Sequence, residues 1–329
     1  MLHVRVLVTG GTGKVGGAVV RASLRAGHKV RAVVRDVIRA RAALPPEVEV
    51  VPGDVTDAPS LTEACDGCEI VYNAMGVPEQ WLADPALFVQ INVQGSVNIT
   101  RAAVAAGVKR LVHTSTIDVF AAPPGGRFDE TNLAGHAKGT AYERSKQQAE
   151  QAVIETAGTM EIVFVNLATV YGLGPTGNAS LESRMFRPVL RGTLPAVPAG
   201  GFGVVFTEGQ ALGHLLAAER GRPGERYILC DEYATLMHIA RTLTEVAGRG
   251  RAPLTTVPAP LMSLAATVGE LTAKVTHRPP PIARCQLQYL RWNAVPDSSK
   301  AQKELDWHPT PLAAGLHRIL TEAGGKSVL

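Results

Sequence analysis

The feature that most restricts the fold is a glycine-rich turn near the start of the chain, Thr9-Gly10-Gly11-Thr12-Gly13-Lys14-Val15-Gly16. The residues before it, Val-Arg-Val-Leu-Val at 4–8, predict a short buried strand. Apolar residues at helical spacing over 15–26 predict a helix after it. Strand, glycine turn and helix, in that order, are the context in which such a turn binds the phosphates of a dinucleotide. The sequence therefore predicts a nucleotide-binding α/β sheet that begins with this strand.

Three glycines of such a turn each have their own role. Gly10 allows the tight bend, Gly13 lets the backbone approach a pyrophosphate, and Gly16 lets the helix pack closely on the strand. The phosphates would lie at the helix N-terminus. A P-loop would need other residues where Val8 and Val15 stand, so that alternative is rejected. The predicted cofactor contacts here are Gly10, Thr12, Gly13, Lys14, Val15 and Gly16.

Arg35 predicts which dinucleotide is preferred. It follows the second predicted strand, 29–34, at the position where an acid would bind the ribose of NAD and an arginine accommodates the 2′-phosphate of NADP. Arg39 and Arg41 follow within two helical turns and could strengthen a phosphate site. Asp36 could still turn toward a ribose, and the arginines could form only a solvated helix face. The favoured cofactor is NADP, with NAD as the alternative.

Two more strand ends complete the predicted cofactor site. The strand at 48–51 leads to Asp54 and Val55, and the strand at 69–72 leads to Ala74, Met75 and Gly76. Strands alternating with helices predict a Rossmann-type, doubly wound parallel sheet, which binds ligands at the carboxyl ends of its strands. Asp54 could hydrogen-bond the adenine or equally cap a helix. Small residues after the fourth strand leave room for a ribose.

Tyr142 and Lys146 are the candidate proton-transfer pair. In a helix, residues four apart share a face, so the phenol and the ammonium would be neighbours. A free phenol titrates near pH ~10, and a nearby positive charge lowers that pKa by favouring the phenolate. Such a tyrosine can protonate a carbonyl or deprotonate an alcohol. The spacing alone is a weak signal, because polar residues on an exposed helix often show it, and the glycine turn gives it weight.

With these motifs the chain resembles an extended short-chain dehydrogenase/reductase of the NAD-dependent epimerase/dehydratase family, over nearly its whole length. It is most similar to the dihydroflavonol-reductase-like branch, including the proteins called hopanoid-associated sugar epimerases. The motifs are the glycine turn, Gly53-Asp54, Asn92-Val93-x-Gly95 with Asn98, Thr114-Ser115-Thr116, Tyr142-x-x-x-Lys146, Val170-Tyr171-Gly172-x-Gly174-Pro175, Asp297-Ser298-Ser299-Lys300 and Glu304-Leu305-Asp306-Trp307-x-Pro309.

The resemblance implies a third catalytic group, a hydroxyl at the end of the fifth strand, which is predicted at 110–113; by position that group is Thr116. It would orient the reacting oxygen and hold developing negative charge. The alternative for Thr116 is a turn hydroxyl that bonds its own backbone. The resemblance also implies a homodimer, formed by helices at about 92–106 and 142–156 that pack as a four-helix bundle.

Composition and the placement of Gly and Pro indicate the organisation of the chain. With 329 residues, 46% of them hydrophobic, it can form a nucleotide-binding domain, 1–170, and a smaller C-terminal substrate lobe, 171–329, some of which returns to the sheet. Gly and Pro cluster between 172 and 203. The stretches expected to face the substrate are 75–81, 120–136, 171–206 and 277–289. The apolar stretch 257–269 is interpreted as a packing helix, or as an entrance for lipid-like substrates.

Several classes of function are disfavoured. The 33 basic and 29 acidic residues are spread along the chain, so no nucleic-acid partner is expected. No apolar run is long enough to span a membrane, and no signal peptide is evident, so a cytoplasmic location is expected. The four cysteines, including Cys65 and Cys68, predict free thiols, and no metal site is predicted.

The predicted function is that of an NADP-preferring oxidoreductase that interconverts a ketone and a secondary alcohol through Thr116, Tyr142 and Lys146. One alternative is a nucleotide-sugar epimerase or dehydratase with bound NAD. Sugar-nucleotide enzymes of the family commonly carry an asparagine just before the Tyr-Gly pair, whereas this chain has Ala168-Thr169-Val170 there, which counts against that substrate. The other alternative is a non-catalytic redox sensor that binds the dinucleotide.

Overall fold

Seven parallel strands form the central sheet of the protein. The computed structural model describes residues 4–77, 81–177, 180–276 and 284–322. The strands are β1 (Arg5–Thr9), β2 (Lys29–Val34), β3 (Glu49–Pro52), β4 (Ile70–Asn73), β5 (Arg110–Thr116), β6 (Arg127–Phe128), β7 (Glu161–Leu167), β8 (Thr169–Tyr171), β9 (Ala196–Pro198), β10 (Gly201–Phe206), β11 (Arg226–Leu229), β12 (Glu232–Thr235), β13 (Thr255–Val257) and β14 (Val295–Pro296).

Twelve α-helices are assigned in the described ranges, and two π-helical turns, Val89–Gln94 and Glu182–Phe186, directly precede α4 and α6. The α-helices are α1 (Lys14–Arg25), α2 (Val37–Ala43), α3 (Ala86–Phe88), α4 (Gly95–Ala105), α5 (Ala141–Thr156), α6 (Arg187–Leu190), α7 (Thr207–Arg220), α8 (Leu236–Ala247), α9 (Ala259–Thr276), α10 (Arg284–Trp292), α11 (Ser299–Leu305) and α12 (Leu312–Glu322).

The strand order of the central sheet, β3-β2-β1-β4-β5-β7-β11, creates a crevice at the carboxyl ends of β1 and β4. From β1 the chain builds outward through β2 to β3 and then crosses back to β4 on the other side of β1. Ligands of doubly wound sheets bind where the order reverses in this way. The predicted α/β Rossmann-type architecture is confirmed, and the glycine turn lies at the reversal point.

Alternation along the strands divides the core between the two faces of the sheet. Val6 and Val8 belong to a buried cluster that includes Val19 of α1 and Ala217 of α7. Leu7, between them, points to the other face and belongs to the cluster that contains Ile99 of α4 and Val153 of α5. Because successive side chains of a strand point to opposite faces, one apolar run is covered by helices on both sides.

A second set of elements forms a lobe with its own core. Strands β8, β10 and β12 form a small sheet, and a separate buried cluster joins it to α8 and α12. Strand β11 comes from the second half of the chain but completes the large sheet by pairing with β7. Within the described ranges, no helix is long and apolar enough to cross a lipid bilayer.

Some element boundaries differ from those expected from the sequence. Strand β5 continues to Thr116, because it pairs with β7 along its full length, as far as Thr116 beside Leu167. The helix expected at 92–106 is an α-helix only from Gly95, after the π-helical turn. Strand β2 has the predicted bounds, 29–34, whereas β1, β3 and β4 each lie one residue later in the chain than predicted.

Candidate active site

The turn between β1 and α1 has the shape required to hold a phosphate group. Gly10 adopts φ +66°, and a Cβ there would lie 2.6 Å from the carbonyl oxygen of Ala74. A Cβ at Gly16 would lie 2.3 Å from the oxygen of Gly10. Gly13 is the N-cap of α1 and supplies no side-chain cap, so the first N–H groups of the helix face outward. The cradle fits an anionic group at this helix N-terminus.

The loop after β4 connects the glycine turn with Lys146. The hydroxyl of Thr9 donates to Oδ1 of Asn73 at 2.8 Å and accepts the N–H of Met75 at 3.2 Å, which holds the loop against β1. A Cβ added at Gly76 would lie 4.0 Å from Nζ of Lys146. The turn, the loop that contains Ala74, Met75 and Gly76, and Lys146 therefore share one cleft.

At the end of β2 the structure separates the roles of Arg35 and Asp36. The carboxylate of Asp36 is the N-cap of α2, where Oδ1 accepts the N–H of Arg39 at 2.9 Å. Arg35 is exposed, and no ion pair engages it in the described part of the chain. Arg39 and Arg41 are exposed on α2. The acid that could have bound a ribose is thus used in a helix cap.

Asp54 and Val55 follow β3, and their side chains make different kinds of contact, one polar and one apolar. Oδ1 of Asp54 accepts both the N–H and the hydroxyl of Thr56, at 2.9 and 2.8 Å, so this carboxylate oxygen closes a local turn. The side chain of Val55 meets Met75 above Gly95, where a Cβ would lie within 3.0 Å of both. Val55 and Met75 therefore form an apolar wall beside the crevice.

Helix α5 positions the predicted proton-transfer pair. It begins with a capping box in which Glu143 N–H donates to Thr140 Oγ1 at 3.1 Å and Thr140 N–H donates to the Glu143 carboxylate at 2.7 Å. This fixes the first turn, which carries Tyr142. The Tyr142 ring is half-buried and lies edge-on to Phe88, with ring centroids 6.0 Å apart. Lys146 follows one turn later on the same face.

Lys146 is held by backbone, and no carboxylate forms an ion pair with it in the described ranges. The residue is 7% exposed, and its ammonium donates to the carbonyl of Thr114 on β5 at 2.8 Å. Burial lowers the pKa of Lys146 to about 8, and the charge of Glu150 opposes that shift. With a pKa this low, Lys146 can gain or lose its proton close to neutral pH.

Thr116 lies at the carboxyl end of β5, and its hydroxyl is engaged by Asp118. Oγ1 of Thr116 donates to Oδ2 of Asp118 at 3.1 Å and accepts the Asp118 N–H at 3.2 Å. Because a hydroxyl has a single proton, Thr116 presents lone pairs to other groups in this arrangement. Donation to a substrate oxygen requires its proton to rotate away from Asp118. No sequence motif singled out Asp118.

A buried polar network supports α5 against β5 and β7. Asn166 donates to Glu150 at 3.0 Å and to the carbonyl of Thr116 at 3.1 Å. Arg226 of β11 donates to the other oxygen of Glu150 at 2.7 Å. Glu150 is 2% exposed. Its position four residues after Lys146 was the available sequence signal, whereas Asn166 and Arg226 had none.

Lys14 faces away from the cleft toward the second lobe. Its ammonium lies 2.6 Å from Oε1 of the fully buried Glu182 and donates to the carbonyl of Gly172 at 3.2 Å. The same carboxylate oxygen accepts the N–H of Gly172 at 2.7 Å. The side chain of Lys14 therefore joins the two lobes. A phosphate bound at the turn would contact the backbone N–H of Lys14.

A cavity of about 310 Å³ opens beside the first turn of α5. It combines apolar and aromatic walls with charged groups, since Lys138 stacks over Trp292 at 4.7 Å and lies 3.8 Å from Glu143. Its lining residues are Ala122, Pro124, Lys138, Glu143, Tyr289, Arg291 and Trp292. Except for Glu143 of α5, these residues lie in or next to two of the stretches expected to face the substrate, 120–136 and 277–289. Residues 78–80, 178–179 and 277–283 of the expected stretches lie outside the described residues.

The Cys-x-x-Cys pair lies far from this chemistry. Cys65 and Cys68 are buried free thiols, and burial raises the pKa of Cys65 to about 12. A thiol that resists deprotonation is a poor nucleophile and a poor metal ligand. Among the described residues, no cluster of three His, Cys, Asp or Glu side chains could hold a metal ion.

Comparison with known proteins agrees with this architecture. Residues 6–229 match the NAD dependent epimerase/dehydratase family. The chain is 31% identical over 312 residues to sterol demethylase protein B of Methylococcus capsulatus, covering 94% of each. It is 33% identical over 308 residues to a putative dihydroflavonol 4-reductase of Synechocystis, covering 91% of this chain and 88% of that protein.

Among solved structures, the fold matches UDP-glucose 4-epimerase of Thermotoga maritima with a TM-score of 0.77, at 20% identity, covering 96% of this chain and 97% of that one. At that identity the likeness concerns the fold. The family match spans more than half of the chain and includes the glycine turn, the loop after β4 and α5. This chain belongs to the NAD-dependent epimerase/dehydratase family and is an NAD(P)-dependent enzyme of the extended short-chain dehydrogenase/reductase type.

Proposed function

We propose that the protein is an NADP-preferring oxidoreductase that interconverts a ketone and a secondary alcohol, with Thr116, Tyr142 and Lys146 as its catalytic residues. The observation that carries the proposal is the position of Lys146. Its buried ammonium is fixed by Thr114, one helical turn from Tyr142, and borders the loop that leads to the phosphate cradle. A tyrosine beside such a cation can work as an acid or base.

The residues divide the proton chemistry between them. Tyr142 gives its phenolic proton to a carbonyl oxygen, or takes the proton of an alcohol in the reverse direction. Lys146 favours the phenolate by its charge, and Thr116 fixes the position of the reacting oxygen. Bound NADP, held by the cradle residues, would supply or accept the hydride.

Support for NADP over NAD comes from the end of β2. Arg35 is exposed there and can pair with a 2′-phosphate, with Arg39 and Arg41 nearby. One carboxylate oxygen of Asp36 caps α2. Asp54 remains a candidate for the adenine through its second carboxylate oxygen.

A homodimer through α4 and α5 is supported by exposed aliphatic side chains. Val104 on α4 and Ile154 on α5 are 42% and 44% exposed, and Val89 before α4 is 50% exposed. The two helices pack against each other, so their outer surfaces form one face. Burial of these side chains by a second copy would complete the four-helix bundle expected for the family.

The test starts with the Tyr142→Phe variant. We expect it to lose turnover on a panel of ketones by at least about 100-fold while it binds NADPH as tightly as the unaltered protein. Titration of NADPH and NADH by fluorescence measures the cofactor preference, and Arg35→Ala should weaken NADPH binding alone. Equal or tighter binding of NADH would contradict the preference.

Two results would favour the alternatives. Protein that purifies with tightly held NAD and binds a UDP-sugar would indicate nucleotide-sugar epimerisation or dehydration. Binding of the dinucleotide with no turnover across the whole panel would indicate a redox sensor. In either case the Tyr142→Phe variant would bind cofactor normally, so binding alone does not support the oxidoreductase.

A further inference from the structure

Helix α9 has two apolar faces, of which only one is packed inside the protein. Ala266 and Ala273 are buried, and Met262 packs against the core of the second lobe. The opposite face carries Leu261, Leu264, Val268 and Leu271, which are 60%, 64%, 53% and 57% exposed. We call these four residues the outer face of α9.

The spacing of the outer face makes it continuous. The four side chains recur at intervals of three, four and three residues, so they form one stripe along the helix. A surface helix of a water-soluble protein ordinarily carries polar residues on the side opposite its core. A contiguous exposed apolar stripe instead indicates a surface that binds another protein or a membrane.

The stretch of sequence that contains this stripe has a strongly unbalanced charge. Residues 246–296 contain six Lys or Arg and one acid, Glu270, although the whole chain has 33 basic and 29 acidic residues. Arg249, Arg251 and Arg291 are exposed, and Arg291 donates to Ser263 on α9 itself. A second copy of this chain would bring the same basic segment with no surplus of acids to pair with it. Apolar side chains beside basic ones are complementary to an anionic lipid surface.

We propose that the outer face of α9 docks the protein reversibly on an anionic lipid bilayer, with the aliphatic side chains among the acyl chains and the flanking arginines at the headgroups. The site also has a consequence for the cavity beside the first turn of α5. Helix α10, which packs on α9, contributes Tyr289, Arg291 and Trp292 to the 310 Å³ cavity. Docking would bring that cavity close to the lipid surface.

The experiment is sedimentation of the purified full-length protein with vesicles. One set contains phosphatidylcholine alone, and the other contains three parts phosphatidylcholine to one part phosphatidylglycerol. We expect binding to the anionic vesicles, a loss of about tenfold or more for Leu264→Glu or Val268→Glu, and weaker binding in roughly 0.5 M salt. Leu212→Glu on α7 is the matched control, because Leu212 is 50% exposed on another helix and its variant should bind like the unaltered protein.

Three results would overturn the proposal. They are no binding to either vesicle, equal binding to both, and equal loss in the α9 variants and the Leu212→Glu control. A fourth pattern would assign the outer face of α9 to a second copy of the chain. In that pattern the unaltered protein does not bind vesicles, and the Leu264→Glu variant sediments differently from the unaltered protein when no lipid is present. Thermal unfolding of each variant confirms that it is folded. Since no turnover is measured, failure here leaves the proposed oxidoreductase untouched.

Discussion

Two lysines are largely shielded from solvent, Lys14 at 13% side-chain exposure and Lys146 at 7% residue exposure, and the structure pairs their charges differently. Lys14, at the start of α1, forms a direct ion pair with Glu182 of the second lobe at 2.6 Å. Lys146, on α5, donates to a backbone carbonyl, while the oxygens of Glu150 one turn away are taken by Asn166 and Arg226. The charge of Lys14 is balanced by Glu182 in a contact that joins the two lobes. The charge of Lys146 is not balanced by a direct ion pair in the described ranges.

Burial lowers the pKa of both lysines, but the opposing forces differ. For Lys14 the attraction and hydrogen bond of Glu182 counteract burial. For Lys146 only the more distant charge of Glu150 does so, and the pKa falls to about 8. A lysine that acts on a neighbouring phenol must not be neutralised by a closer partner, and the proposed function assigns Lys146 the chemical role and Lys14 a structural one on this difference in pairing.

The largest expected effect is on turnover. Replacing Lys146 with Met removes the charge that favours the Tyr142 phenolate, so kcat/KM should fall by about 1,000-fold. Lys14→Met should lower it by less than about tenfold, because that ammonium faces Glu182. Steady-state kinetics on one ketone, at a temperature where both variants are folded, measure the contrast. Equal losses in the two variants would show that the lysines do not have separate roles.

The next effect concerns stability at the junction of the lobes. Glu182→Gln leaves the ammonium of Lys14 buried without a countercharge. Lys14→Met likewise leaves the carboxylate of Glu182 buried without a countercharge. Breaking one side of a buried pair costs about 3–5 kcal/mol of unfolding free energy. Urea denaturation of both variants and of the double variant forms a cycle. The double variant should lose clearly less than the two single losses combined, and strict additivity would contradict a direct pair.

The sequence predicted the position of Lys146, one helical turn from Tyr142, but not the ion-pair partner of Lys14. Tyr142 and Lys146 are linked by helix geometry, which four residues of spacing suffice to reveal. The partner of Lys14 comes from the other lobe, and no local pattern encodes it, so Lys14 was expected to serve the cofactor. Hydrogen-bond directions were equally hidden. That Thr116 donates to Asp118, and that Asp54 binds Thr56, depends on rotamers and not on spacing.

The depressed pKa of Lys146 predicts how stability varies with pH. Lys146 titrates at about 8 in the folded protein and near 10.5 in the unfolded chain, so between those values the unfolded chain binds more protons. Stability from this group therefore rises with pH across that window, by up to about 3 kcal/mol, and is lost as pH falls through about 8. Urea denaturation at several pH values, with Lys146→Met as the reference, isolates the contribution. A difference between the two proteins that does not vary from pH 7 to pH 10 would refute it.

The smallest expected effect calibrates the Lys14 pair. Lys109 and Glu69 lie at the same distance, 2.6 Å, but their side chains are 74% and 40% exposed. Water already solvates both charges there, and salt screens their attraction, so Lys109→Ala should change the unfolding free energy by no more than about 0.5 kcal/mol. Measured beside Lys14→Met under the same conditions, it separates the contribution of burial from that of distance. A loss at Lys109 as large as the loss at Lys14 would mean that contact distance alone sets the energy, and the distinction between a buried structural pair and a surface pair would fail.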